Sequence, residues 1–226
     1  MAKQELYERS PIRAFDEAAN GGLKAGEIGL VTAKKGLGKT SVLVQFGMDT
    51  LLNGKQLVHV SFDQHSDNVM SWYDGIFTEI SKKKPVSNAA ELKEQILRNR
   101  TILNFNQENV SLEKVVNTLN ALKAAGISVA GVVIDGLDLS KVKEADMQSV
   151  ANYAKVTKTK VWISSTQESE KLEEQAPKVL LPYFSIVIHL APKSNCTSLE
   201  ILKVGKNEDI SSSLKLDSKT LLILSK

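Results

Sequence analysis

The stretch LVTAKKGLGKTSVL, residues 30–43, joins two apolar segments and decides the fold of this chain. The segment EIGLVT at residues 27–32 is short and rich in branched side chains, which predicts a buried strand. Residues 40–53 have a helical pattern. Two glycines and three lysines occur within the stretch. It therefore predicts a strand, a cationic glycine-rich loop and a helix in direct succession.

The loop follows the second half of the phosphate-binding pattern G-x-x-x-x-G-K-[ST], with Ala33 at the position of the first glycine. Glycines allow backbone N–H groups to converge on phosphate oxygens, and the next helix adds its positive N-terminal end. Lys39 is predicted to contact the β- and γ-phosphates, and Thr40 to bind Mg²⁺. The other predicted nucleotide contacts are Lys34, Lys35, Gly36, Leu37, Gly38 and Ser41. The alternative is a lysine-rich turn without a ligand.

Asp135 ends the apolar segment GVVID at residues 131–135. A carboxylate that leaves a buried strand beside a phosphate loop suits a Mg²⁺ ligand acting through water. In open α/β sheets, ligands bind beyond the carboxyl ends of the strands, where both features fall. Asp-Gly is also a turn signal, so Asp135 as a plain strand end is the alternative. Asp138 is predicted to cap the following turn.

Strand patterns alternate with helical patterns along most of the chain, which predicts an α/β fold with a mostly parallel central sheet flanked by helices. The predicted strands cover residues 27–32, 56–62, 101–105, 129–135 and 160–166. The predicted helices cover residues 40–53, 66–81, 88–98, 112–122, 144–157 and 169–175. After Pro182, strand patterns follow one another without helices, so antiparallel strands are expected over residues 182–226. We expect a single nucleotide-binding domain over residues 1–226, with residues 1–20 as an N-terminal arm.

The composition excludes several classes of protein. Charged residues are 24% and hydrophobic residues 42%, as in ordinary globular proteins, and the net charge of +3 does not by itself indicate a nucleic-acid partner. Cys196 is the only cysteine, which predicts a reducing, cytoplasmic environment without a disulfide framework. No apolar run approaches the roughly 18 residues of a membrane span. His59 and His189 lie in apolar strands and are interpreted as core residues rather than metal ligands.

The order of the motifs resembles that of RecA-like P-loop ATPases, in the branch of KaiC-type clock ATPases and DnaB-type replicative helicases. The lead-in FDEAANGGLKAGEIGLV at residues 15–31 and the strand VHVSFDQ at residues 58–64 resemble two of the motifs of this branch. WISSTQ at residues 162–167 resembles its γ-phosphate sensor strand, and LEILKVGKNED at residues 199–209 its late hairpin. The resemblance covers roughly residues 15–210. It implies ATP and Mg²⁺ as ligands and a homo-oligomeric assembly.

The same resemblance implies catalytic roles. Asp63 matches the glutamate that orients the attacking water, although its side chain is one methylene shorter, and Gln64 stands where the clock proteins have a second acid. Gln167 matches the γ-phosphate sensor, and Lys206 matches the hairpin lysine that faces a neighbouring subunit. Glu208 replaces the hairpin arginine, and an anion there opposes the charge to be stabilised. We therefore expect weak hydrolysis. Asp63 as a polar strand end and Gln167 as a loop-facing amide are the alternatives.

Residues 34–40, KKGLGKT, also resemble the deviant loop of ParA/MinD-type partition ATPases. In that family the first lysine of the loop crosses a dimer interface, and Lys34 would be its counterpart. Lys35 replaces the first paired glycine of that family. The lead-in before the first strand also argues against this second resemblance.

The loops that meet nucleic acid in RecA-like motors are poorly suited to that task here. Residues 168–178 carry more carboxylates than lysines, which would repel a phosphate backbone, and no aromatic side chain for base stacking. A protein partner is therefore favoured over nucleic acid, although a DnaB-type helicase core acting on DNA stays open. Two functions are compatible with the motifs: a weak Mg²⁺-dependent ATPase, and a nucleotide-dependent switch or scaffold that does not hydrolyse.

Overall fold

The computed structural model describes residues 2–62, 64–82, 88–105 and 111–225, so the predicted catalytic residue Asp63 lies outside the described residues. The helices are α1 (Ala2–Glu8), α2 (Ile12–Ala18), α3 (Lys39–Leu52), α4 (Ser66–Lys82), α5 (Ala89–Leu97), α6 (Leu112–Ala124) and α7 (Glu144–Thr157). The strands are β1 (Ile28–Ala33), β2 (Gln56–Ser61), β3 (Arg100–Asn104), β4 (Val129–Asp135), β5 (Lys160–Thr166), β6 (Phe184–Lys193), β7 (Cys196–Val204), β8 (Asn207–Leu216) and β9 (Ile223–Ser225).

The strands of the described residues form one sheet in the order β3-β2-β4-β5-β1-β6-β7-β8-β9. The strands from β3 to β6 in this order pair in parallel, and β7, β8 and β9 extend the sheet by antiparallel pairing. The predicted α/β fold is therefore confirmed. Ala33 is in register with Thr166, and Ser61 with Asp135. The carboxyl ends of four strands thus meet at one edge of the sheet.

Three predicted elements need correction. The strand β6 belongs to the parallel part of the sheet, because it pairs in parallel with β1. The strand β8 was not predicted, because its first part, NEDISSS, contains a single apolar residue. The helix predicted over residues 169–175 is wrong, since only the short 3₁₀ turn Leu172–Glu174 forms there. The Gln175 amide donates to the carbonyl oxygens of Ser169 and Lys171, both at 2.7 Å, and so occupies acceptors that a helix would use.

The apolar residues form one cluster on each face of the sheet. Helices α1 to α5 contribute to the first cluster, which includes the fully buried Phe15, Leu43 and Met48. Helices α6 and α7 contribute to the second cluster, on the other face. The predicted N-terminal arm contains α1 and α2, and Phe15 anchors α2 in the core. The parallel strands are therefore covered on both faces, as their apolar composition predicts.

The two strand histidines lie in the core, as predicted. His59 is fully buried, and its Nδ1 atom lies 2.9 Å from the Tyr73 hydroxyl. Burial lowers the pKa of His59 to about 3, so this imidazole is neutral near pH 7. His189 is 2% exposed, and burial lowers its pKa as well. Within the described residues, no helix is both long enough and apolar enough to cross a membrane.

Gly29 is required by the packing of Trp162, its register partner in β5. A Cβ atom at position 29 would lie 2.3 Å from the Trp162 ring, which is stacked 3.9 Å from the Phe46 ring. We expect Gly29→Ala to lower the free energy of unfolding by about 1–3 kcal/mol, measured by chemical denaturation. Gly75→Ala in α4 is the matched control, because a Cβ there meets no atom within 4 Å. Unchanged stability of Gly29→Ala would contradict this packing.

Candidate phosphate-binding site

The loop between β1 and α3 places two glycines in the left-handed backbone region. Gly36 has a φ of 86° and Gly38 a φ of 99°, values that side chains other than glycine rarely adopt. The amides of Gly36, Leu37 and Gly38 donate to no acceptor in the described parts of the chain. The Gly38 amide directly precedes the N-terminal end of α3, which carries partial positive charge. The loop therefore offers a group of backbone donors to an anion.

Lys39, the first residue of α3, spans this loop. Its Nζ atom donates to the carbonyl oxygens of Ala33 at 3.0 Å and Lys34 at 3.2 Å. The ammonium group is therefore held at the rim of the loop. The Lys34 ammonium lies 3.7 Å from the Glu168 carboxylate, and both side chains are largely exposed. An ion pair of this kind contributes little to stability and leaves Lys34 accessible.

Thr40 and Asp135 meet across the cleft. The Thr40 hydroxyl donates to Asp135 Oδ2 at 2.7 Å, and Asp135 is only 3% exposed. The Ser164 hydroxyl donates to Asp135 Oδ1 at 2.6 Å, which orients the carboxylate. A hydroxyl oxygen beside a carboxylate oxygen suits Mg²⁺, which prefers oxygen ligands. The described residues contain no cluster of three or more His, Cys, Asp or Glu ligands, so phosphate and water oxygens would complete its coordination.

Gln64 also reaches this pair of side chains. Its Nε2 atom donates to Thr40 Oγ1 at 3.0 Å. Its backbone is held by both neighbouring strands: its amide donates to the Ser61 hydroxyl oxygen at 3.0 Å, and its carbonyl oxygen accepts from Asn104 Nδ2 at 2.8 Å. From sequence, Gln64 was visible only as a departure from a family pattern.

These groups line a cleft of about 660 Å³ at the carboxyl edge of the sheet. Its walls are Lys35, Gly36, Gly38, Lys39, Thr40, Gln64, Trp72, Asp135, Gly136, Thr166 and Leu221. Sequence reasoning missed Trp72 and Leu221 as lining residues, because α4 and the C-terminal segment carry no motif that links them to the loop. The cleft therefore combines backbone donors, a lysine and oxygen ligands with apolar side chains.

The family model "ATPase: KaiC" matches residues 9–195 of this chain. The chain belongs to the KaiC-type ATPase family. No curated protein sequence matches it. The solved structure of an ATPase domain from a DnaB-family protein has the same fold, with a TM-score of 0.71 at 13% identity, over 96% of this chain and 90% of that one. This KaiC-type ATPase is thus an ATP-binding P-loop protein with a RecA-like fold, and the family match decides against the ParA/MinD-type resemblance.

Ser41 of the KaiC-type ATPase directs its side chain away from the phosphate loop. Its hydroxyl donates to the Leu221 carbonyl oxygen at 3.1 Å, and Gln45 Nε2 donates to the same oxygen at 2.9 Å. The Ile223 amide donates to Gln45 Oε1 at 2.8 Å. A contact between Ser41 and nucleotide would therefore use the backbone. These hydrogen bonds attach the C-terminal segment to α3 beside the cleft.

Gln167 lies next to the phosphate loop. It follows β5 directly, and its amide donates to the Ala33 carbonyl oxygen at 3.1 Å. The segment after it is tied to β1 through the fully buried Gln175. Gln175 Oε1 accepts a hydrogen bond from the Thr32 hydroxyl, and His189 Nδ1 lies 3.2 Å from the same oxygen. The predicted sensor position is therefore connected with the start of the loop on both sides.

Lys206 lies at the opposite edge of the sheet. It stands in the turn between β7 and β8, where the Gly205 amide donates to the Ser185 carbonyl oxygen at 2.7 Å. Ser185 is at the amino end of β6, which runs parallel to β1, whereas the phosphate loop follows the carboxyl end of β1. Lys206 is therefore separated from the phosphate site of its own chain, and a catalytic role would require the site of a neighbouring subunit.

Proposed function

We propose that this KaiC-type ATPase binds ATP with Mg²⁺ in the cleft and hydrolyses it slowly. The observation that carries the proposal is the contact between the Thr40 hydroxyl and Asp135 Oδ2, at 2.7 Å, beside the N-terminal end of α3. It joins a hydroxyl at the phosphate loop to a buried carboxylate from another strand. A plain lysine-rich turn gives no reason for such a pair.

The side chains divide the work by their chemistry. The amides of the glycine loop and the Lys39 ammonium bind phosphate oxygens, and Lys34 and Lys35 add positive potential near them. Thr40 and Asp135 are the residues that would hold Mg²⁺, which when bound neutralises part of the charge that develops on the phosphates. Gln167 is placed to hydrogen-bond a γ-phosphate oxygen through its amide. Asp63 remains the predicted water-orienting acid.

Slow hydrolysis and self-assembly are proposed together. The hairpin that would serve a neighbouring site carries Lys206, but Glu208 stands at the position of the second cation. An anion there does not stabilise the transferring phosphoryl group. We therefore propose that bound nucleotide mainly controls homo-oligomerisation and the binding of a protein partner. The acidic segment 168–178 beside Gln167 favours a protein over nucleic acid.

The proposal is tested by calorimetric titration of the purified chain with ATP, ADP and GTP, with and without Mg²⁺. Phosphate release and light scattering are measured on the same samples. We expect ATP binding that requires Mg²⁺ for full affinity, slow phosphate release, and a larger particle with MgATP than with MgADP. Binding without any phosphate release would favour the non-hydrolysing switch. A chain that binds no nucleotide at millimolar concentration would refute the proposal.

A further inference from the structure

We propose that the Gln64 side chain orients the water molecule that attacks the γ-phosphate, an inference that rests on the proposed function. Gln64 Nε2 donates to Thr40 Oγ1 at 3.0 Å, and Thr40 also donates to Asp135. These two residues are the proposed Mg²⁺ ligands. Because Mg²⁺ in P-loop proteins bridges the β- and γ-phosphates, the Gln64 amide lies at the γ-phosphate end of the cleft.

The position of Gln64 is set by its backbone rather than by chance side-chain contact. The Ser61 hydroxyl accepts from the Gln64 amide and donates to the Gln64 carbonyl oxygen, both at 3.0 Å. Ser61 is fully buried at the end of β2, and Asn104 from β3 holds the same carbonyl oxygen at 2.8 Å. The side chain therefore starts from a point fixed by two strands, as a positioned catalytic group requires.

An amide has the donors and the acceptor that this role needs. Its carbonyl oxygen can accept a hydrogen bond from water, and its NH₂ group can donate to a phosphate oxygen. In hydrolysis, the water oxygen bonds to the γ-phosphorus while the bond from that phosphorus to the β,γ-bridging oxygen breaks. ADP leaves with the electron pair of that bond. One water proton passes to a γ-phosphate oxygen, so the second product is dihydrogen phosphate.

Gln64 takes no proton in this step, because an amide does not titrate near pH 7. It acts by holding the water in line with the bond that breaks. This distinguishes it from a general base, whose rate contribution falls when it becomes protonated. Replacement of Gln64 by glutamate would add such a base at the same place.

The test compares Gln64→Leu, Gln64→Asn and Gln64→Glu with Gln95→Leu, an exposed glutamine of α5 that serves as matched control. Binding of MgADP, of a non-hydrolysable ATP analogue with Mg²⁺, and of MgADP with aluminium fluoride is measured by calorimetry, beside turnover. Aluminium fluoride with ADP mimics the transferring phosphoryl group together with its attacking water. Thermal unfolding verifies that each variant is folded.

We expect Gln64→Leu and Gln64→Asn to bind MgADP and the ATP analogue as the unchanged chain does. Both should lose the extra affinity conferred by aluminium fluoride and about 100-fold in turnover. Gln64→Glu should hydrolyse with a rate that falls at acidic pH, unlike the unchanged chain. Full aluminium fluoride binding by Gln64→Leu and Gln64→Asn would overturn the inference. Equal weakening of all three ligands would also overturn it, because it would indicate a general role in the phosphate or metal site.

The two levels of the proposal fail in different ways. Absence of nucleotide binding in the unchanged chain refutes the proposed function itself. Normal binding and turnover in the Gln64 variants refute only the role of Gln64. If Asp63→Ala alone removes turnover while both Gln64 amide-loss variants retain it, the attacking water is oriented by Asp63 instead.

Discussion

Lys39→Ala is expected to lower the affinity for MgATP by about 100-fold or more. The Lys39 ammonium is held at the loop by the carbonyl oxygens of Ala33 and Lys34, and a bound phosphate would replace these neutral acceptors by charged ones. A hydrogen bond to a charged group contributes about 1.5–3 kcal/mol, and about 1.4 kcal/mol corresponds to a tenfold change in affinity. Two such bonds to the β- and γ-phosphates account for the expected loss.

Lys55→Ala is the matched control for this measurement, because Lys55 is an exposed lysine just beyond the other end of α3. Calorimetric titration with MgATP should give the affinity of the unchanged chain for this variant. Thermal unfolding of both variants separates a loss of binding from a loss of folding. An Lys39→Ala protein that binds MgATP normally would remove the phosphate role of the loop.

Asp135→Asn is expected to reduce turnover by about 1000-fold and to weaken ATP binding only when Mg²⁺ is present. Asparagine retains an acceptor for the Thr40 hydroxyl and nearly the same volume, but it loses the negative charge that would attract the cation. Without Mg²⁺, the same change removes a repulsion between the carboxylate and the phosphates. Affinity for metal-free ATP should therefore stay equal or rise. Titrations with ATP in Mg²⁺ and in EDTA measure this difference in sign.

Asp138→Asn is the control for the loss of one carboxylate near this edge of the sheet. As predicted, Asp138 caps a short turn, and its Oδ1 atom accepts from the Ser140 amide at 3.1 Å. Hydrogen bonds from Ser140 lower the pKa of Asp138, which is therefore ionised at pH 7 as the control requires. This variant should leave the Mg²⁺ dependence unchanged. If Asp135→Asn behaves in the same way, Asp135 is a structural strand end and not a metal ligand.

Much of the candidate site could be predicted because its parts are local. The phosphate loop is one continuous segment, residues 33–40, and its glycines and lysine lie at a spacing that only a few backbone conformations satisfy. Asp135 could be added because parallel strands end at a shared edge of the sheet, so an acid at the end of one strand lies near a loop at the end of another.

Other parts of the site depend on contacts between distant segments. Leu221 reaches the cleft because Ser41 and Gln45 hold its carbonyl oxygen. The helix predicted over residues 169–175 fails because the Gln175 side chain takes two backbone acceptors and joins Thr32 in β1. Hydrophobic spacing reports which face of an element is buried, but it does not report side-chain hydrogen bonds made to other elements.

The amino-acid sequence by itself determined the α/β class, the succession of strand, phosphate loop and helix, and the residues 33–40 and Asp135 that meet at one edge of the sheet. These features depend on local spacing and on the parallel arrangement of strands, which side-chain periodicity encodes. The tertiary structure alone decided that Gln64 contacts Thr40, and that Lys206 lies at the edge away from its own phosphate site. Both depend on strand order and on hydrogen bonds between distant segments, and these exist only once the sheet has assembled.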